Sequence, residues 1–329
     1  MDDLEIKGDN GLLLHHWDAD GMSSAAILLR HLEGSYATFT PTIGNYYLCE
    51  RDQEEIRDLR PDHVIVADMA LPKESIEYLK SYGDVYIFDH HLQERHDVEL
   101  HHNPIISGET PENYPSTTWV VSEFLNMKPD LLTLLGAFGD RETKLKENPG
   151  VMKTIEPLLK SFQVSFDDLL KSVYMIDTLH KKGDRKGVSG MPWFLMEVTH
   201  PEELLNREDL MENLNVLEER IEAESERPLN SLKEGVFHLE MDTPYNIIST
   251  VTRRIAWSLS DEDIVMVTNS SFQPGETQIY VRGPIKDSKS IIEHARSKGY
   301  SAGGKSDVIG MVVPSEKEKD IVKTILEKL

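Results

Sequence analysis

Three short apolar runs near the N-terminus, Leu12–Leu14, Val64–Ala67 and Val85–Phe88, each stop abruptly at charge. The first runs into His15-His16-Trp17-Asp18-Ala19-Asp20-Gly21, the second into Asp68, and the third into Asp89-His90-His91. Continuous apolar runs of this length read as strands buried on both faces. Helix signals fill the intervals: Met22–Leu32, with Ser23 and Ser24 near its start, a polar stretch over Asn45–Arg60 that stops before Pro61, and Pro72–Tyr82. Strands alternating with helices predict a parallel sheet with covered faces. In such sheets ligands bind beyond the carboxyl ends of the strands, where these charges fall.

The spacing within the first cluster has a chemical use. On an extended segment, Asp18 and Asp20 point the same way. Two carboxylates on one face repel unless a cation lies between them. A turn capping the next helix explains one acid at a strand end. It explains three such ends poorly when two also carry histidine, so a metal site is the expectation.

The chain has 329 residues, enough for two domains. Its net charge of −23 argues against a protein built to hold long duplex DNA, which needs a basic stripe, and leaves small anionic substrates open. The acidity equally suits solubility or a high-salt medium. Cys49 is the single cysteine, which excludes an intrachain disulfide and makes a reducing cytoplasm the simplest compartment. Neither a membrane span nor a signal peptide is expected.

His16, Asp18, Asp20 and Gly21, then Asp68, then Asp89-His90-His91, then Leu134-Leu135-Gly136-Ala137-Phe138-Gly139-Asp140 stand in the order of four motifs. This pattern resembles the DHH phosphoesterase superfamily. Its members include RecJ-type exonucleases, nanoRNase-type oligonucleotide hydrolases, cyclic-dinucleotide phosphodiesterases and family II pyrophosphatases. The resemblance implies two Mn²⁺ ions, with Mg²⁺ or Co²⁺ as alternatives. It implies metal ligation by His16, Asp18, Asp20, Asp68, His90 and Asp140, with Asp68 bridging and some ambiguity between His15 and His16. Asp89 would ligate or orient, and His91 would lie nearer the scissile phosphate.

The remaining segments carry weaker signals. Ser116-Thr117-Thr118 opens a helix over Trp119–Asn126 whose first-turn amides could hold an anion. His101 and His102 read as solvated histidines on a strand, and His180–Gly187 as a solvated basic turn. Helical patterns run over Met152–Phe162 and Phe166–Leu179, and Pro201–Glu226 reads as a helical connector. From Gly235 short strands appear at Val236–Met241, Ile264–Thr268 and Gln278–Arg282.

Ala302-Gly303-Gly304-Lys305 resembles the glycine loop of the DHH-associated domain, with Lys305 where histidine is expected. Its amides could cradle phosphate, and Lys305 would add a point charge but could not replace a neutral imidazole. Arg282 stands where many members have an arginine facing the substrate backbone; a surface strand arginine is the alternative.

The expected fold class is therefore α/β: a parallel-sheet DHH catalytic domain over 1–195, a helical connector over 196–235 and a smaller α/β DHH-associated domain over 236–329, with a cleft between the domains. The implied activity is metal-dependent hydrolysis of short single-stranded RNA or DNA, or of a linear dinucleotide. Alternatives are a RecJ-like exonuclease with a replication or repair partner, a cyclic-dinucleotide phosphodiesterase, and a non-catalytic scaffold. The resemblance also suggests a homodimer.

Overall fold

A computed structural model describes residues 6, 8–305 and 307–329, with the Lys305 side chain outside that description. The chain divides into two compact units, one of Met1–His180 and Asp184–Glu212, the other of Lys181–Gly183 and Asn213–Leu329.

The first unit opens with β1 (Asn10–His15), α1 (Ala19–His31), β2 (Ser35–Phe39), α2 (Glu50–Leu59), β3 (His63–Ala67), α3 (Lys73–Lys80), β4 (Asp84–Phe88) and β5 (Leu100–His102). All pairings in its sheet are parallel, in the order β2-β1-β3-β4-β5. Leu12–Leu14, Val64–Ala67 and Val85–Phe88 are all buried, as a sheet covered on both faces requires. The strand order reverses between β1 and β3, so a crevice opens beyond their carboxyl ends.

Helices α4 (Thr117–Phe124), α5 (Leu131–Arg141), α6 (Pro149–Phe162), α7 (Phe166–Lys181), α8 (Arg185–Leu195) and α9 (Pro201–Leu205) follow. Helix α1 packs against α4, α5 and α8. α10 (Glu208–Ser225) spans the division between the units, and its Leu217 and Ile221 enter a core of the second unit.

The second unit comprises β6 (Asn230–Lys233), β7 (Val236–Met241), α11 (Ile248–Ser258), β8 (Ile264–Asn269), β9 (Glu276–Arg282), α12 (Ser288–Ser297), β10 (Ser301–Lys305), β11 (Val308–Pro314) and α13 (Glu318–Lys328). Its sheet runs β10-β11-β9-β8-β7-β6 and is antiparallel except at β7–β8. Side-chain alternation gives it two cores. Ile279, Val281, Ile309 and Met311 face one, while Val251, Ile255, Val265 and Val267 belong to the other.

Three local expectations change. Residues 301–305 form edge strand β10 rather than a loop, because Gly303 pairs with Gly310 and Gly304 with Ile309. The stretch read as a solvated basic turn closes α7 and opens α8. Its Arg185 bonds Glu55 through both carboxylate oxygens (3.0 and 2.8 Å), the buried Asp52 (2.8 Å) and the Thr40 carbonyl (2.8 Å). His101 is buried, and burial pushes it down to about 4; His102 packs between Phe88 and Phe124.

Removing Arg185 leaves Asp52 buried without its cation. Arg185→Ala is expected to cost about 3 kcal/mol in urea unfolding. Arg185→Lys should recover little, because one ammonium cannot span both carboxylates.

Candidate metal centre

The carboxyl edge of the first sheet places the charged residues by backbone register. One residue beyond each strand, the ladder still holds: the His16 amide donates to the Ala67 carbonyl (3.2 Å), Asp68 to Phe88 (2.9 Å) and Asp89 to His102 (3.2 Å). Three side chains therefore leave the sheet from fixed neighbouring points. Asp68 does so with φ +63°, a left-handed backbone that a non-glycine residue adopts at a cost.

Asp18 and Asp20 do not share an extended segment. Asp18 is the N-cap of α1 and accepts the Gly21 amide (3.0 Å), while Asp20 lies in the first helical turn. The chain turns between them, so they serve different clusters. Gly21 is required by that turn: a Cβ there would lie 2.5 Å from the His16 carbonyl oxygen.

Three groups of donor atoms lie close enough to hold an ion: His16, Asp18 and Asp68; Asp68, His90 and His91; and Asp20, His90 and Asp140. Asp68 and His90 each belong to two of them. His16 Nδ1 is 2.7 Å from Asp18 Oδ2 and 3.8 Å from Asp68 Oδ2. His90 Nε2 is 2.8 Å from Asp140 Oδ2, 3.7 Å from Asp68 Oδ1 and 4.0 Å from Asp20 Oδ2. His15 joins none of these groups; it is buried and bonds the His16 carbonyl through Nδ1 (2.7 Å).

Neighbouring helices aim these groups. Asp20 accepts the amides of Thr117 (2.6 Å) and Thr118 (3.0 Å). The anion held at the start of α4 is therefore the protein's own carboxylate. The Thr117 hydroxyl fixes Asp68 Oδ1 (2.8 Å). His90 Nδ1 contacts the Tyr114 carbonyl (3.3 Å), an arrangement that leaves Nε2 toward the acids. Asp89 accepts from His91 Nδ1 (2.7 Å) and from Gln93. Asp177, at the end of α7, accepts the first amide of α1 from Ala19 (3.0 Å), and His180 beside it acts on Asp18.

The electrostatics are those of a cation site. Asp20, Asp68 and Asp89 are buried. Among the described residues, every ion-pair partner of Asp18, Asp20, Asp68, Asp89 and Asp140 is a histidine. Burial and then Asp140 push Asp20 up to about 7; burial and the surrounding acids push Asp68 well above the usual range. Burial lowers His90, but Asp140, Asp20 and Asp89 outweigh it and raise it to about 10. Burial pushes Asp18 and Asp89 up, yet His16 and His91 respectively hold them below the ordinary value. His16 Nε2 and Asp68 Oδ2 are buried without a hydrogen-bond partner, while His16 Nδ1 and His90 Nε2 face the carboxylates of Asp18 and Asp140. Crowded, converging donor atoms of this kind fit divalent ions with mixed carboxylate and imidazole ligation.

The sequence-named Arg282, Gly303 and Gly304 lie in the second unit and in none of these groups. Arg282 pairs with Val308, which pairs with Lys305; Tyr280 pairs with Gly310, which pairs with Gly303. Cross-strand partners share a face, so Arg282 and Gly303 are on one side of that sheet and Gly304 on the other. Gly304 is needed for the backbone: its φ is +154°, and a Cβ would lie 2.1 Å from the Val308 carbonyl oxygen. Sequence reasoning did not find Thr117 and Thr118 as holders of Asp20 and Asp68. Gly136 was part of the fourth motif but without a role; a Cβ there would lie 2.2 Å from both Asp20 Oδ1 and Thr118 Oγ1.

Residues 12–147 match the DHH family, N-terminal domain. A comparison with curated proteins gives no match. The DHH domain of a member of the s1p family of ribosomal proteins superposes with a TM-score of 0.70 at 14% identity, covering 97% of this chain and 86% of that one. RecJ from Thermus thermophilus, in complex with Mn²⁺, superposes at 0.66 and 16% identity, covering 97% of this chain and 51% of that one. An exonuclease RecJ bound to manganese gives 0.64 at 16%, covering 97% and 89%. This chain thus spans about half the length of the Thermus protein, and at these identities the likeness establishes the fold.

Two outcomes follow from the geometry. Gly136→Ala presses on Asp20 and is expected to weaken divalent-ion binding, probed with Mn²⁺, at least about tenfold by calorimetry, with the far-UV spectrum retained. Asp20 is pushed up to about 7 and His90 to about 10, so an ion taking both must displace their protons. The affinity for a divalent ion, probed with Mn²⁺, should therefore rise from about pH 6 to about pH 8, with more protons released at the lower pH. A flat affinity would contradict the placement of Asp20 and His90 in one donor group.

Proposed function

We propose that this chain, whose residues 12–147 match the DHH family's N-terminal domain, is a DHH-superfamily phosphoesterase, and more closely a Mn²⁺-dependent phosphodiesterase acting on short single-stranded oligonucleotides or a linear dinucleotide. The observation that carries this reading is Asp68, whose carboxylate belongs to two donor groups and retains one oxygen without a partner. His16, Asp18 and Asp68 would hold one ion and Asp20, His90 and Asp140 another, with His90 within 3.7 Å of Asp68 as well. Bound divalent ions would supply an activated water and neutralise charge on the phosphoryl oxygens.

The chain's own residues supply the rest. Thr117 and the left-handed backbone hold Asp68 in place. The α4 amides hold Asp20 so that its charge does not swing away when protons leave. Asp89 fixes the His91 ring through Nδ1, leaving Nε2 of this half-exposed histidine to hold a phosphoryl oxygen or pass a proton to the leaving group. Arg282 and Gly303, on one face of the second sheet, are suited to the substrate backbone, with Gly304 shaping the strand beside them. The net charge of −23 supports short substrates over long strands.

Lys305 favours a second reading, a non-catalytic scaffold, because the resemblance predicts histidine there. Release of mononucleotides from an end-labelled RNA di- to pentamer with Mn²⁺ separates the two. Wild type should release them, and Asp68→Ala should lose more than about a hundredfold. No release by wild type with Mn²⁺ bound would favour the scaffold.

A further inference from the structure

Tyr46 is 57% exposed, yet it is packed against the metal centre. Its ring stacks on that of His16, with centroids 5.9 Å apart and planes 23° from parallel. It also meets Trp17 at 5.2 Å, and Trp17 in turn lies 4.2 Å from His16. Three rings therefore step from a metal-ligand position outward to solvent.

The loop that carries Tyr46 is clamped at both ends. The Thr42 amide (3.0 Å) and hydroxyl (2.9 Å) donate to Asp52 Oδ1, and the Cys49 amide donates to Asp52 Oδ2 (3.1 Å). The Leu48 amide bonds the Ser75 hydroxyl (3.0 Å), and the Gln53 side chain bonds the Leu48 carbonyl (3.0 Å). Asp52 is itself pinned by Arg185. The ring is thus held in advance of any ligand, so little ordering is lost when one binds.

An aromatic surface left in water gains nothing for folding. Among the described residues of this unit the other strongly exposed aromatic, Trp193, is not part of the three-ring step. A flat group joined to a phosphate is what an aromatic ring beside a metal centre can recognise. A nucleobase fits, and because every base has a π-face, stacking accepts all of them.

We infer that Tyr46 is the stacking platform for the nucleobase nearest the reacting phosphate, which makes the substrates nucleotide phosphodiesters of any sequence rather than base-free phosphates. The inference rests on the phosphodiesterase reading for its catalytic consequence, but the binding it describes does not require turnover.

The first test uses the Mn²⁺-loaded protein and 2-aminopurine nucleoside monophosphate, whose fluorescence falls on stacking. Wild type and Tyr46→Trp should quench it; Tyr46→Leu should bind at least about tenfold more weakly. The second compares kcat/KM on an RNA dinucleotide with the same dinucleotide carrying one abasic residue. Tyr46→Leu should lower the preference for the intact dinucleotide about tenfold. Equal quenching by Tyr46→Leu, or an unchanged preference, would overturn the inference. Tyr46-dependent quenching without turnover of any oligonucleotide would support it and count against the phosphodiesterase reading alone.

Discussion

Uncompensated negative charge is the constraint around which the first unit is built. Asp18, Asp20, Asp68, Asp89 and Asp140 converge, and among the described residues only histidines pair with them. Folding such a cluster is costly, because burial and mutual repulsion both oppose ionisation. The surrounding structure offsets the cost piecemeal, with α4 amides at Asp20, a hydroxyl at Asp68 and the His91 ring at Asp89. What remains uncompensated is what a divalent ion would neutralise.

The parallel sheet makes the convergence possible. His16, Asp68 and Asp89 leave neighbouring strands one residue past the ladder, with their amides still tied to the adjacent strand. An antiparallel sheet would send alternate strands to opposite edges and scatter the three side chains. Two glycines then allow the close approaches. Gly21 lets α1 turn back over His16, and Gly136 lets α5 lie against Asp20. Both demands are steric, and both sit beside a carboxylate of the cluster.

Much of this was legible in the sequence because the signals are local. Leu12–Leu14, Val64–Ala67 and Val85–Phe88 read as buried strands since a strand covered on both faces leaves no alternation. Their terminal acids and histidines lie together as the α/β alternation requires. What was not legible depended on contacts distant in the chain. Thr117 meets Asp20 across 97 residues and Asp68 across 49, and no spacing rule announces either bond. Arg185 looked like part of a solvated turn because its partners, Asp52 and Glu55, lie far earlier in the chain. The glycines at 303 and 304 suggested a loop, whereas pairing with β11 made them a strand.

The pair Asp18 and Asp20 shows how a correct chemical instinct can rest on the wrong geometry. Their i, i+2 spacing suggested one face of a strand and a single shared cation. The helix begins between them, and a turn of helix carries the second carboxylate away from the first. Asp18 joins His16 and Asp68, and Asp20 joins His90 and Asp140. Because α1 starts at Ala19, one five-residue stretch feeds two donor groups. The helix start is therefore what sends the two carboxylates to different groups. The Asp177 carboxylate that caps the first amide of α1 supports that arrangement from behind.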